Sequence, residues 1–109
     1  MEIRRGDLVT VAMQGDYGKP RPALVVQADA FSVLDSVTVL RLSSDLRDLP
    51  LFRITVEPKP SNGLEKRSQV MVDKAATVPR VKIGQRIGRA DSATMRAVDA
   101  ALAGFLGLH

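Results

Sequence analysis

Arg21 stands between two prolines in Lys19-Pro20-Arg21-Pro22, directly before the apolar run Ala23-Leu24-Val25-Val26. A guanidinium is permanently charged and planar, and it can hold a phosphate or carboxylate through two nitrogens at once. The prolines fix their own backbone angles and remove two amide donors, while Gly15 and Gly18 admit conformations closed to other residues. The stretch from Gly15 to Val26 is therefore a loop shaped at both ends that runs straight into a strand. An arginine in that place is either a strand-edge anchor or a residue of a site. A second polar group follows where the alternating run Val37 to Leu42 gives way to Ser43, Ser44 and Asp45. Hydroxyls at a strand end either cap the next turn or donate to a bound oxyanion.

The chain around these residues has 109 amino acids, 45% hydrophobic and 26% charged. That is the size and balance of one globular domain, residues 1–109, able to bury a core without staples. No cysteine is present and the one histidine is the last residue, which excludes disulfides and thiolate chemistry and argues against a histidine metal site. No cofactor is expected. No apolar run reaches membrane-spanning length and none resembles a signal peptide, so a cytoplasmic location is expected. Sixteen basic residues against 12 acidic give a net charge of +4. The excess concentrates between Lys66 and Arg89, where Lys66, Arg67, Lys74, Arg80, Lys82, Arg86 and Arg89 face one acid, Asp73. Such a field attracts polyanions, nucleic acid or an acidic protein, unless it is simply a solvated face.

Mostly strands must position these groups. Leu8 to Ala12 follows a Gly-Asp turn signal as a first strand, Ala23 to Val26 is a second, and Val37 to Leu42 a third. Asp29 or Ser32 can start one short helical turn between the second and third. Leu51 to Glu57 alternates as a fourth strand, with Phe52, Ile54 and Val56 on one face. Pro58, Pro60, Asn62 and Gly63 form a turn-rich loop that marks no domain boundary. Ser68 to Val72 reads as a fifth strand and Thr77 to Ile83 as a sixth, where Arg80 and Lys82 would point the same way and Pro79 restricts the strand to an edge. After Asp91, a good N-cap, Met95, Val98, Leu102 and Phe105 form the apolar stripe of a helix of about 14 residues that stops at Gly107. The expected architecture is mainly β with α, a small barrel or strongly curved sheet closed by a C-terminal helix.

In order, Gly6-Asp7-Leu8-Val9, Lys19-Pro20-Arg21-Pro22-Ala23-Leu24-Val25-Val26, Ser43-Ser44, Ser68-Gln69-Val70-Met71-Val72-Asp73-Lys74 and the closing helix span nearly the whole chain. In that order they resemble the MazF/PemK growth-inhibitor toxins of type II toxin-antitoxin systems. The resemblance implies a small SH3-like, CcdB/MazF-type barrel of five to seven strands, a homodimer, and a metal-independent endoribonuclease neutralised by an antitoxin. It places the family's catalytic arginine on Arg21 and its catalytic threonine on Ser43, with Ser44 the alternative if the alignment slips by one. Serine keeps the hydroxyl but loses the methyl that restricts its rotamer. An Arg and an Asp that precede a glutamine in some members are replaced by Lys66-Arg67-Ser68-Gln69, which keeps a positive charge and loses the acid.

RNA carries its own nucleophile, the 2′-hydroxyl, so cleavage requires only in-line orientation, stabilisation of developing charge and management of protons. Arg21 and Ser43 are the candidate catalytic residues. Tyr17, Lys19, Ser44, Arg67, Gln69, Arg80 and Lys82 are candidates for holding substrate, Tyr17 by stacking on a base or else by packing over the fold. A guanidinium stays protonated and is no general base. The expected partners are single-stranded RNA, an acidic, partly disordered antitoxin covering the same basic groove, and a second copy of the chain; no membrane is expected. Two other readings use the same residues differently: a non-enzymatic CcdB-like toxin that poisons DNA gyrase through its C-terminal helix, and an RNA-binding module without catalysis.

Overall fold

A computed structural model describes residues 2–12 and 19–108, and among them the chain forms six strands and one α-helix. β1 is Asp7–Val11, β2 Arg21–Val25, β3 Ser36–Ser43, β4 Arg53–Val56, β5 Ser68–Pro79, β6 Ile83–Arg89 and α1 Ser92–Leu106. All ladders are antiparallel, in the order β4-β5-β3-β2-β1-β6. The number of strands meets the expectation, but the barrel does not: β4 and β6 are sheet edges, and no ladder joins them among the described residues. The turn after β4 occupies the place where closure would need one. Pro58 and Pro60 bring no amide donors to it, and the segment reaches β6 through one bond, Arg89 N to Ser61 O at 2.9 Å.

The expected fifth and sixth strands are one strand. β5 runs for 12 residues and forms two different ladders. Its first part pairs with β4, and Gln69 and Val70 also face Ser43 and Leu42 of β3; beyond a break, Ala75 to Pro79 pair with Leu40 to Ser36. One residue of β3, Arg41, lies between paired positions where β5 has four, 71 to 74. The three extra residues are an odd number, so they exchange the faces of β5. Val70 and Val72 therefore join Leu8, Leu24, Leu40, Leu42 and Val56 in one buried cluster. Val78 joins Ile3, Val9, Val11, Ala23, Val25, Val37 and Val39 in another, on the opposite face. A strand read as a single alternation hides such a bend.

β6 escapes a reading by hydrophobic run because two of its seven residues are glycines. Gly88 is required by close approach: a Cβ there would lie 2.3 Å from the backbone carbonyl carbon of Asn62. Arg80–Lys82 form a 3-10 turn between β5 and β6, not a strand, because Pro79 ends the ladder. The short helical turn expected near Asp29 is present at Asp29–Phe31.

Asp91 caps α1 by accepting from Thr94 N at 2.8 Å, and Gly107 closes it in the left-handed region at φ 72°. Val98 is fully buried, with Met95 and Leu102 packed against the same cluster. Phe105 departs from the expected stripe and is 54% exposed, about one turn beyond the packed Leu102. No helix is long and apolar enough to cross a membrane among the described residues.

Candidate active site

Arg21 opens β2, two residues earlier than its apolar run suggests, and Ser43 closes β3. Their strands pair antiparallel through Val25↔Val39, Leu24↔Leu40 and Ala23↔Arg41. The ladder ends at Ala23↔Arg41, and Arg21 and Ser43 each lie two residues beyond it at the same end of the two strands. Both belong to the face whose apolar rows are Val9, Ala23, Val25, Val37 and Val39. At this end the apolar rows stop, and the face is polar because its next positions are Arg21, Arg41 and Ser43. On β4 and β5 the corresponding positions are Arg53, Thr55, Gln69, Met71 and Asp73, since Ile54, Val70 and Val72 turn to the other cluster.

Ser43 Oγ accepts a hydrogen bond from Asp45 N at 3.0 Å. That contact uses a lone pair and leaves the hydroxyl proton for another acceptor. Ser44 lies next to it, exposed in a bend. Gln69 pairs with Ser43 across the ladder and with Thr55 on the other side. It is 6% exposed, and its amide is engaged by Arg47, Arg53 and Thr55. Arg53 Nη1 also reaches Asp45 O at 3.3 Å.

Two carboxylates border this face. Asp45 is held below the usual carboxylate range by hydrogen bonds from Arg47, 2.7 Å from Nη2 and 3.1 Å from Nε. Asp73 is likewise lowered, first by the hydrogen bond from Lys74 Nζ at 2.9 Å, with Arg53 adding to it. Carboxylates depressed in this way stay ionised and are weak proton acceptors.

The other expected substrate contacts are dispersed. Lys19 is exposed just ahead of β2, and Tyr17 lies outside the described residues. Arg67, before β5, pairs with Glu57 at 2.8 Å. Arg80 and Lys82 sit past the Ser36–Pro79 end of the β3–β5 ladder, seven residues and roughly 23 Å of strand from Ser43. The Arg80 guanidinium donates to the carbonyls of Ser32 and Leu34. They extend no common basic face with Arg21. Nor is the Lys66–Arg89 field uniformly unneutralised, since Lys74 pairs with Asp73 and Arg89 with Asp7.

Arg41, Arg53 and Thr55 were missed as neighbours of the site. Their signal was the alternation itself: Arg41 shares a face with Ser43, and Arg53 and Thr55 occupy the polar face of β4.

The described residues form one antiparallel sheet with a C-terminal helix, with Arg21 and Ser43 at neighbouring strand ends. The family model for the PemK-like, MazF-like toxins of type II toxin-antitoxin systems matches residues 4–106, and the chain belongs to that family. It is 46% identical over 107 residues to a protein named probable endoribonuclease MazF from Mycolicibacterium smegmatis, covering 97% of this chain and 98% of the relative. Among solved structures it resembles an endoribonuclease in complex with its cognate antitoxin from a mycobacterial species, at TM-score 0.81 and 28% identity, with 98% and 97% of the two chains covered. The Mycobacterium tuberculosis toxin MazF-mt6 shares the fold at TM-score 0.81 and 24% identity, covering 94% of this chain and 98% of that one.

Proposed function

We propose that this toxin is an endoribonuclease that cleaves single-stranded RNA at preferred sequences, without a metal, by attack of the 2′-hydroxyl on the adjacent phosphate. The observation that supports the reading is that Arg21 and Ser43 lie at the same end of the adjacent strands β2 and β3, two residues beyond their last pair, in a chain of this family. Arg21 holds the scissile phosphate through two nitrogens and stabilises the charge that grows on its non-bridging oxygens. Ser43 donates its free proton to a phosphate oxygen or to the 2′-oxygen, its rotamer held by the bond from Asp45 N. The 2′-oxygen forms the new bond to phosphorus as the bond to the 5′-oxygen breaks, which leaves a 2′,3′-cyclic phosphate and a 5′-hydroxyl. Lys19, Ser44 and Tyr17 flank this point in sequence and serve substrate binding.

The toxin acts in the cytoplasm as a homodimer and is inhibited by an acidic antitoxin segment that competes for the cationic residues around Arg21. The solved complex of a related endoribonuclease with its antitoxin supports that partner. A gyrase-poisoning mode is not favoured: Met95, Val98 and Leu102 of the helix stripe it would use are packed against the sheet.

The test is incubation of purified, antitoxin-free protein with long RNA in excess chelator, followed by mapping of the new 5′ ends. Cuts at a recurrent short sequence with 5′-hydroxyl ends are expected, and Arg21→Ala should abolish them. RNA left intact, or 5′-phosphate ends, would remove the reading.

A further inference from the structure

The loop that follows Ser43 is fixed by a side chain that imitates a strand. Gln69 Oε1 accepts from Arg47 N at 2.9 Å and Gln69 Nε2 donates to Arg47 O at 3.0 Å, the paired exchange that two backbones make in an antiparallel ladder. The same amide accepts from Arg53 Nη1 at 3.3 Å and donates to Thr55 Oγ1 at 3.2 Å. A primary amide has two acceptor sites and two donors, so all four are filled inside the protein. No polar side-chain atom of Gln69 is left for RNA.

We infer that Gln69 is a positioning residue for RNA cleavage, which clamps residues 44–48 and thereby sets the Ser43 hydroxyl and the Ser44 hydroxyl relative to Arg21. The inference rests on the endoribonuclease reading above and revises the sequence expectation for Gln69, which then acts through the loop and not by touching substrate. The loop begins at the atom that matters: Asp45 N is the donor that orients Ser43 Oγ, and Asp45 O is held in turn by Arg53. Loss of the clamp frees Arg47 and Asp45 together, and a misplacement of about 1 Å at the reacting groups costs up to about 100-fold in rate. Ground-state binding of RNA, which rests chiefly on Arg21 and Lys19 outside the clamp, is largely unchanged.

The experiment compares wild type, Gln69→Met and Gln69→Glu by hydrogen exchange over residues 44–48 and by steady-state cleavage of an oligonucleotide carrying a mapped cut site. Methionine matches the side chain's length and removes every bond, whereas glutamate keeps the acceptor for Arg47 N and Arg53. Gln69→Met is expected to exchange faster over 44–48, with kcat down about tenfold or more and KM within about threefold. Gln69→Glu is expected to recover most of the protection at Arg47 and part of kcat. A raised KM with unchanged kcat and unchanged exchange would mean direct substrate contact and would overturn the inference. If wild-type protein cuts no RNA, the endoribonuclease reading fails by itself, while equal exchange rates in wild type and Gln69→Met would show that the clamp does not exist.

Discussion

Asp7, fully buried at the start of β1, accepts a hydrogen bond from Arg89 Nη1 at 2.5 Å and so fastens the first strand to the last. Its other oxygen accepts from Arg4 N at 2.8 Å, and Arg86 stands 4.0 Å away. The Gly6-Asp7 pair at the start of the chain is thus a folding device: Gly6, at φ 93°, turns the chain so that the carboxylate enters between β1 and β6. Removing Arg89 leaves a buried carboxylate with a weaker partner. Arg89→Met should therefore cost about 2 kcal/mol, below the figure for a wholly buried pair because the Arg89 side chain is half-exposed and Arg86 is near. Urea unfolding should show a lower midpoint with an unchanged m-value. A midpoint equal to wild type would mean that Arg86 carries the pair.

Arg21 is exposed, and its removal should separate activity from stability. Arg21→Ala is expected to lower kcat by about 100-fold or more, as loss of a group that stabilises developing charge does. Its thermal midpoint should stay near that of wild type, since a surface substitution shifts stability by only about 0.5 kcal/mol. Arg21→Lys keeps the charge and loses the two-pronged geometry, so it should recover only a minor part of the rate. A lysine variant as fast as wild type would show that only charge matters there.

The two serines after β3 can be told apart in the same assay. Ser43 is oriented by Asp45 N, whereas Ser44 is exposed in the bend. Ser43→Ala should reduce kcat by about 100-fold, the low end of the range for loss of one oxyanion-type hydrogen-bond donor. Ser44→Ala should change it several-fold at most. Ser43→Thr should preserve activity, because the added methyl restricts the rotamer while the hydroxyl remains. Opposite ranking of the two alanine variants would move the hydroxyl role to Ser44.

The residues at the centre of the proposed site carry signals that are local. Arg21 is marked by its two prolines and Ser43 by the abrupt end of an alternating run; α1, from its Asp91 cap to Gly107, is marked by period and termini. What the sequence concealed is set by non-local geometry. The three extra residues in β5 exchange its faces, and nothing between Met71 and Lys74 announces a bend when read alone. β6 hides behind Gly84 and Gly88, which lower strand propensity but are demanded by the packing of Thr10 and Asn62. Charge along the chain also overstates charge on a face: Arg80 serves two carbonyls and Arg89 a buried carboxylate, at places the Lys66–Arg89 run could not reveal. Open edges in place of a barrel follow from prolines in a turn whose position is fixed by tertiary packing.

The helix cap gives a pH-dependent prediction with a definite sign. Asp91 is drawn down from 3.8 to about 2, chiefly by the hydrogen bond from Thr94 N and further by Lys59, whose Nζ lies 3.3 Å from Oδ2. A carboxylate with a depressed folded-state pKa binds its proton more readily in the unfolded chain. Its stabilising contribution is therefore complete above about pH 4 and is lost as pH falls towards 2. Asp91→Ala should lower the thermal midpoint by a few degrees at pH 7, because Thr94 N then loses its partner and the helix N-terminus its favourable negative charge. The gap between variant and wild type should narrow steadily between pH 4 and pH 2. Asp91→Asn, which can still accept from Thr94 N, should show a smaller deficit at pH 7 and little dependence on pH over the same range. Thermal melts of the three proteins across that range decide the matter, and a deficit for Asp91→Ala that does not shrink in acid would show that the cap acts through packing instead of charge.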